Sequence, residues 1–254
     1  MVVFRYDKTF EGLLSVVFDA YSRKSFPEKL IGENDIEPMF SVEVHTVITQ
    51  TVNSGRVWLA LQKKLSRIAV NMISAVWLSE EEDCDLLIFK YICKVFDSKR
   101  SIETNFGDDV ILQMAQLAKK VNREAEHIRQ FTRLQKAADD IYFAPVVAKY
   151  NALPLSVSYF QDRFSDQKWV VYDIQRKYGF YYDLTKPVEI TLDGEGSHLL
   201  SGKLDEELMA QDEKLFQELW KGYFNALTIK ERINLKLQRQ HMPKRFWKYL
   251  TEKQ

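Results

Sequence analysis

The sequence predicts an α+β protein, with a helix-rich N-terminal half containing short strands and a C-terminal half whose helices pack on a small antiparallel sheet. Two observations support this class. Apolar residues recur at helical spacing in long segments, whereas they alternate with polar residues in short segments after residue 140. A hydrophobic share of 46% over 254 residues provides enough apolar surface for a core, which excludes a disordered protein.

The N-terminal region is predicted to cover residues 1–105. Its expected elements are a strand at 2–6, a helix from Thr9 to Arg23, a strand at 42–48, a helix at 54–77 and a further helix that opens at residues 79–82. Residues 98–108 are polar and contain Gly107. This composition indicates a boundary between the two regions.

The C-terminal region is predicted to cover residues 106–254. Asp108 can cap a long helix that runs to about residue 135, and Pro243 suits the first turn of a short final helix. Pro145 lies within the first predicted strand of the sheet, which indicates a sheet edge. The expected strands lie near 141–148, 169–175, 180–184 and 188–192, followed by a loop at 193–197. A helix is expected at 204–224 with Leu208, Leu215, Leu219 and Trp220 inward.

Several functional classes lack their motifs. Cys84 and Cys93 have no disulfide, zinc or iron–sulfur spacing, and we interpret them as buried thiols of a cytoplasmic protein. The histidines show no metal-ligand spacing, and the glycines form no phosphate-binding loop, so we predict no metal and no cofactor. The first residues do not resemble a signal peptide, and the longest apolar stretch is too short to cross a bilayer, so we expect no membrane association.

Residues 228–254, here called the C-terminal basic segment, are the most informative part of the chain. The segment carries eight Lys or Arg against two acids, although the whole chain has no net charge. Phe246, Trp247 and Tyr249 lie among these cations. Cations interleaved with aromatic rings suit a polyanion that also offers flat faces, as nucleic acid does. The alternative is an ordinary C-terminal helix with a cationic outer face and aromatic anchors.

Two groups of residues are therefore predicted to bind nucleic acid. The first lies on one arc of the long helix and consists of Lys119, Arg123, Arg129 and Arg133. The second belongs to the C-terminal basic segment and consists of Arg232, Arg239, Lys244, Arg245, Lys248 and Tyr249. Guanidinium and ammonium groups bind phosphate, and Tyr249 is expected to stack on bases, whereas Trp247 is assigned to the core. For the first group, a solvated helix face is the alternative.

Two residues are candidates for catalysis. His241 lies among cations that favour the neutral imidazole, which can accept a proton or bind a phosphate. Its alternative role is to order the loop before the last helix. Asp173 lies in a predicted strand among apolar residues, where acids are depleted. Either an ion pair across the hairpin or a catalytic carboxylate explains its presence.

Five longer motifs resemble an uncharacterised bacterial family described as DNA metabolism or DNA repair proteins. They are residues 151–155 (NALPL), 163–169 (RFSDQKW), 172–176 (YDIQR), 231–234 (ERIN) and 238–248 (QRQHMPKRFWK). The resemblance implies a C-terminal domain of unknown function that also occurs fused to uracil-DNA glycosylases. It also implies a partner, a radical-SAM protein with a helix-hairpin-helix element. The chain departs from the family at Phe246, where tyrosine is common, and at Leu235, where proline is usual.

The leading hypothesis is a DNA-binding accessory protein of DNA repair or metabolism that acts with the radical-SAM partner. The second is a nucleic-acid-processing enzyme, a hydrolase or glycosylase-like protein with His241 and Asp173 in one cleft. The third is a non-catalytic protein-interaction subunit. This last hypothesis assigns the docking surface to the acidic residues of 193–218 or to the acidic helix start at 80–85.

Overall fold

The structure, a computed structural model, describes residues 1–39, 41–192 and 209–253. It is an α+β protein, as predicted. The chain divides into two compact units, Met1–Val121 and Asn122–Gln254. The division falls inside the long helix Asp109–Phe131, whereas the predicted boundary near residue 105 lies in the loop that precedes this helix.

The N-terminal unit combines helices with a three-stranded sheet. In chain order its elements are β1 (Val2–Tyr6), α1 (Phe10–Arg23), β2 (Lys29–Gly32), β3 (Glu43–Thr46), α2 (Thr51–Lys64), α3 (Arg67–Trp77), α4 (Cys84–Asp97) and the first part of α5 (Asp109–Phe131). Strand β1 lies between β2 and β3 and is parallel to both. Strand β2 was not predicted, because four residues without polar–apolar alternation give no strand signal.

The predicted helix at 54–77 is two helices. Leu65 has extended backbone angles, which end α2, and Ser66 starts α3 as its N-cap. The hydroxyl oxygen of Ser66 accepts a hydrogen bond from the amide of Ala69 at 3.2 Å. A serine placed inside an apolar helical pattern can therefore open a new helix, because its side chain satisfies a free amide of the first turn.

A buried carboxylate joins two elements of the N-terminal unit. Asp85, in the first turn of α4, accepts hydrogen bonds from the Tyr6 hydroxyl and the Lys8 ammonium group, each at 2.7 Å. Burial, together with the charge of Asp85, raises the pKa of Tyr6 well above its ordinary value. The phenol therefore stays protonated and serves as a permanent hydrogen-bond donor between β1 and α4.

The C-terminal unit contains helices and a five-stranded sheet. Its elements are the end of α5, β4 (Gln135–Lys136), β5 (Tyr142–Val146), a 3-10 helix (Pro154–Ser156), α6 (Val157–Arg163), β6 (Trp169–Asp173), β7 (Tyr178–Tyr182), β8 (Pro187–Ile190), α7 (Glu213–Leu227), a 3-10 helix (Lys230–Arg232), α8 (Leu235–His241), α9 (Lys244–Trp247) and a 3-10 helix (Thr251–Lys253). The predicted loop at 193–197 and the start of the predicted helix at 204–224 lie outside the described residues.

The sheet is mixed, so the prediction of an antiparallel sheet is wrong at one pair of strands. The order is β4-β5-β6-β7-β8, and β5 is parallel to β6 while the other pairs are antiparallel. Helix α6 lies between β5 and β6 in the chain, and such a crossover returns the chain in the same direction. Strand β4 pairs with Tyr142 and Phe143, so Pro145 lies beyond its end, where no strand of the described residues pairs with β5 on that side.

Gly179 on β7 lies against the neighbouring strand β6. A Cβ atom added at this position would meet the carbonyl oxygen of Val171 at 2.5 Å and the Cα of Tyr172 at 2.8 Å. Both are backbone atoms of a paired strand, so they cannot move aside locally. Gly222, in the middle of α7, has no atom within 4 Å of the corresponding position.

We expect Gly179→Ala to lower the free energy of unfolding by about 1–3 kcal/mol, because the added methyl group forces β6 and β7 apart. Gly222→Ala is the matched control, and it is expected to raise stability by up to about 1 kcal/mol, since alanine favours a helix. Urea unfolding of both variants and of the wild type measures the difference. Identical midpoints for Gly179→Ala and the wild type would contradict the close approach of the two strands.

Candidate functional site

The C-terminal basic segment is anchored to α5 by a buried ion pair. The side chain of Glu124 on α5 is only 4% exposed, and its Oε2 accepts a hydrogen bond from the guanidinium group of Arg245 on α9. Its Oε1 accepts a hydrogen bond of 2.7 Å from the backbone N–H of Lys149, in the loop after β5. The ion pair therefore commits Arg245, a predicted phosphate contact, to an internal carboxylate.

Apolar contacts surround this ion pair. Phe131 at the end of α5 packs with Phe246 and Leu250 in a buried cluster. The ring of His127 packs beside both phenylalanine rings, 5.7 Å from the Phe131 ring and 5.9 Å from the Phe246 ring, with Nδ1 3.6 Å from Glu124 Oε2. Burial lowers the pKa of His127, and the Glu124 carboxylate opposes this effect only in part. The imidazole is therefore neutral near pH 7.

A second buried carboxylate ties the chain terminus to α7. Glu252 is almost fully buried and accepts hydrogen bonds from Arg133, at 2.7 and 3.4 Å, and from Trp220 Nε1, at 3.0 Å. Burial raises the pKa of Glu252, but the hydrogen bonds from Arg133 and Trp220 bring it below its ordinary value. The Arg133 guanidinium also lies 5.9 Å from the centre of the Trp220 ring. Arg133 is thus held by internal partners as well.

Asp173 forms the ion pair that its sequence position suggested. It is completely buried at the end of β6, with Oδ2 at 3.0 Å from the Arg176 guanidinium and Oδ1 bonded to the backbone amides of Gln175 and Arg176. Arg176 also donates to the carbonyl oxygen of Ala148 at 3.0 Å. Burial raises the pKa of Asp173, and the contacts with Arg176 oppose that change. Both carboxylate oxygens are engaged and neither is accessible to a substrate.

His241 lies in different surroundings. It is exposed at the end of α8, whereas Asp173 is enclosed in the sheet. Within the described ranges no hydrogen bond or ion pair joins the two side chains. Catalysis by this pair stays a prediction, and no contact between His241 and Asp173 supports it.

The remaining predicted nucleic-acid-binding residues differ in availability. Arg129 forms an ion pair of 2.9 Å with Glu126. Tyr249 is buried, with the Lys248 ammonium group 4.6 Å from its ring, so the Tyr249 ring is not available for stacking on a base. Five residues are exposed, and their side chains have no hydrogen bond or ion pair with any described residue: Lys119, Arg123, Arg232, Arg239 and Lys244.

The C-terminal unit also contains a cleft of about 750 Å³ where α6, α7 and the end of α5 meet the sheet. Its lining includes the cations Arg129, Arg133, Lys136 and Arg163, the aromatic residues Tyr142, Tyr159, Phe160, Phe164, Phe216 and Trp220, and the acids Asp212 and Glu213. Arg163 is exposed, lies 5.7 Å from the Phe164 ring, and forms no ion pair or hydrogen bond with the described residues. The cleft thus joins positive charge with aromatic surface.

No role was predicted for Tyr159 and Arg163, and the prediction that Leu215, Leu219 and Trp220 point inward is wrong. In the structure these three side chains of α7 are 40% or more exposed. The sequence pattern that could have indicated a role for Tyr159 and Arg163 is their spacing. They are four residues apart and therefore share one face of a helix.

The chain belongs to the family of DUF4130, a domain of unknown function, whose sequence model matches residues 82–252. No protein with a curated description matches it. Among solved structures, the chain aligns with a pGpG-specific phosphodiesterase, PggH from Vibrio cholerae, at 11% identity over 89% of this chain and 98% of that chain. The TM-score of 0.26 is too low to indicate a shared fold.

The described residues contain neither a metal-binding cluster nor a membrane-spanning helix. No group of three or more His, Cys, Asp or Glu side chains in residues 1–39, 41–192 and 209–253 has an arrangement that could hold a metal ion. Nor does any helix of these ranges combine the length and the apolar character needed to cross a membrane.

Arg245→Ala is expected to lower the free energy of unfolding by about 3 kcal/mol, because it leaves the buried Glu124 carboxylate without its cation. Arg239→Ala, at an exposed position of the same basic segment, is expected to change stability by less than about 0.5 kcal/mol. Chemical denaturation followed by tryptophan fluorescence compares the two. Equal effects of both substitutions would show that the Glu124–Arg245 pair does not hold the segment.

The lowered pKa of His127 predicts how stability depends on pH. The unfolded chain takes up a proton on this histidine at a higher pH than the folded chain, so stability is lost as pH falls through the unfolded value of about 6.5. Between about pH 7.5 and 5.5, we expect His127→Gln to lose less stability than the wild type. His241→Gln, at an exposed position, is the control that measures how the loss of an exposed imidazole changes the pH dependence of stability. Parallel stability curves for the wild type and His127→Gln would refute the assignment.

Proposed function

We propose that this chain is a DNA-binding accessory protein of DNA repair or metabolism. The observation that carries the proposal is a set of exposed cations between residues 228 and 244, namely Lys230, Arg232, Lys236, Arg239 and Lys244. Their side chains form no hydrogen bond or ion pair with any residue that the structure describes. Glu231 is the only acid in this stretch of sequence.

Like charges close together along a chain repel one another, and a polyanion relieves that repulsion. When such a surface binds DNA, the phosphates neutralise the protein's cations, and the counterions that had been condensed on the DNA are released. The buried Glu124–Arg245 pair and the packing of Phe246 hold the end of the segment against α5. The exposed cations are therefore displayed next to an anchored element, which limits the entropy lost on binding.

The proposal includes the radical-SAM partner that the family resemblance implies. The chain has two cysteines, which cannot supply the three thiolates of a radical-SAM cluster. In this proposal, the partner performs the radical chemistry and the present chain contributes DNA contacts.

Substitution of Arg232, Arg239 and Lys244 by alanine tests the DNA contacts. Arg245 is left intact, because it stabilises the fold. We expect weaker binding to labelled DNA of any sequence. On duplex DNA, the slope of the salt dependence should fall by about 0.9 for each phosphate that the variant no longer neutralises. Fluorescence anisotropy at several salt concentrations measures both quantities.

The matched control replaces three exposed lysines elsewhere, Lys90, Lys168 and Lys186, by alanine. This variant removes the same charge but leaves the proposed surface intact. Equal affinities and slopes for the two triple variants would show that binding follows net charge alone. Absence of binding by the wild type at low salt would overturn the proposed function.

A second function, protein interaction without DNA contact, is favoured by a separate observation. Large apolar side chains of α7 and the residues after it are at least half exposed: Leu215, Phe216, Leu219, Tyr223, Leu227, Ile229, Ile233, Leu235 and Leu237. Monomeric proteins rarely expose such a series, which is typical of interaction surfaces. A wild-type protein that co-purifies with the radical-SAM partner but binds no DNA would support this function instead.

A further inference from the structure

The cleft beside α6 and α7 offers two exposed aromatic rings on elements that hold them in place. Tyr159 on α6 is 38% exposed, and its ring contacts the buried Phe160 ring, with centres 5.6 Å apart. Trp220 on α7 is 40% exposed and is fixed by its hydrogen bond to Glu252 and by the neighbouring Arg133. A ring that is both exposed and held in one orientation loses little entropy when another flat group stacks on it.

The charged groups of the cleft are mostly satisfied by the protein itself. Arg129, Arg133 and Lys136 form ion pairs with Glu126, Glu252 and Asp140. Among the acids, the Glu213 carboxylate accepts hydrogen bonds from the backbone N–H of Lys136 and the side chain of Gln217. Asp212 is exposed and acts on Lys136 through its charge.

Arg163 is the exception among the cations of the cleft. It is exposed, one helical turn from Tyr159 on α6, and forms no hydrogen bond or ion pair within the described residues. Its five N–H donors are available to an anion. An aromatic ring and an available guanidinium group on one helix face match the base and the phosphate of a nucleotide.

Stacking on the aromatic rings of this cleft depends on whether a base is paired. In a duplex the faces of the bases are covered by their stacked neighbours, so only base edges and phosphates are presented to a protein. The rings of Tyr159 and Trp220 gain stacking contacts only with a base that has left the double helix. A cleft of about 750 Å³ lies in the usual size range of small-ligand sites.

We infer that this cleft binds an unpaired nucleotide of a single-stranded nucleic acid. The base lies against Tyr159 and Trp220, and the phosphate binds Arg163. The inference rests on the proposed DNA-binding function and adds a strand preference to it. The C-terminal basic segment contributes affinity for phosphates in either form of DNA, whereas the cleft selects the single strand.

The test compares binding of the full-length protein to a labelled oligothymidine and to a duplex of the same length. We expect the wild type to prefer the single strand, and Tyr159→Ala to weaken single-strand binding by about five- to a hundredfold, with little effect on the duplex. Tyr159→Phe keeps the ring and is expected to retain the preference. Arg163→Gln, at an exposed position, is expected to weaken single-strand binding by about fivefold or more.

Phe106→Ala is the matched control, because the Phe106 ring is exposed but does not line the cleft. We expect it to bind like the wild type. Single-strand affinity that is unchanged in both Tyr159→Ala and Arg163→Gln would overturn the inference, and so would equal affinity of the wild type for both forms of DNA. In either case the proposed DNA-binding function would stand.

Two more outcomes identify other failures. Absence of binding to both forms at low salt would overturn the proposed function and this inference together. Thymidine monophosphate and unlabelled oligothymidine are compared as competitors of the labelled strand. Equal displacement by the two at the same concentration would show that the cleft takes a free nucleotide. That result would overturn the assignment to a strand. If Tyr159→Ala fails to fold, as circular dichroism would show, Arg163→Gln decides the question, and an unchanged single-strand affinity of that variant would overturn the inference.

Discussion

The buried carboxylate of Glu124 is the centre of the interactions that organise the C-terminal unit. Removing a carboxylate from water costs several kcal/mol unless cations and N–H groups replace the lost hydration. Glu124 receives both, from the Arg245 guanidinium and from the backbone of Lys149. The carbonyl oxygen of Lys149 in turn accepts a hydrogen bond from Arg176, which is paired with Asp173. One chain of charged hydrogen bonds therefore joins α5, the loop after β5, the end of β6 and α9.

This chain of bonds gives different roles to cations that look alike in sequence. Lys244 and Arg245 are adjacent, yet Lys244 is exposed and Arg245 is bound to a buried acid. Arg133 and Arg163 both line the cleft, yet Arg133 is held by Glu252 while Arg163 is available. A count of charges predicts an electropositive segment but does not separate these roles, because desolvation of a distant carboxylate decides them.

The sequence pattern also fails to predict which aromatic residues are buried and which are exposed. Tyr249 was predicted to stack and is buried, whereas Trp220 was predicted to be internal and is partly exposed. Helical spacing states which side chains share a face, and it does so correctly for Leu215, Leu219 and Trp220 on α7. Whether another element covers that face depends on where the chain places its neighbours, and spacing within one helix carries no information on that.

The sequence by itself determined the features that depend on residues close together in the chain. The α+β class, the cap of α1 by Thr9, the cap of α5 by Asp108 and the membership of the DUF4130 family follow from local patterns and motifs. An ion pair of Asp173 within its hairpin was one of two alternatives that the sequence offered, and Arg176, in the same turn, is the partner. Only the tertiary structure decided the parallel pairing of β5 with β6, the pairs Glu124–Arg245 and Arg133–Glu252, and the cleft. The partners in those two pairs are 121 and 119 residues apart, and at such separations the path of the chain, rather than local propensity, brings groups together.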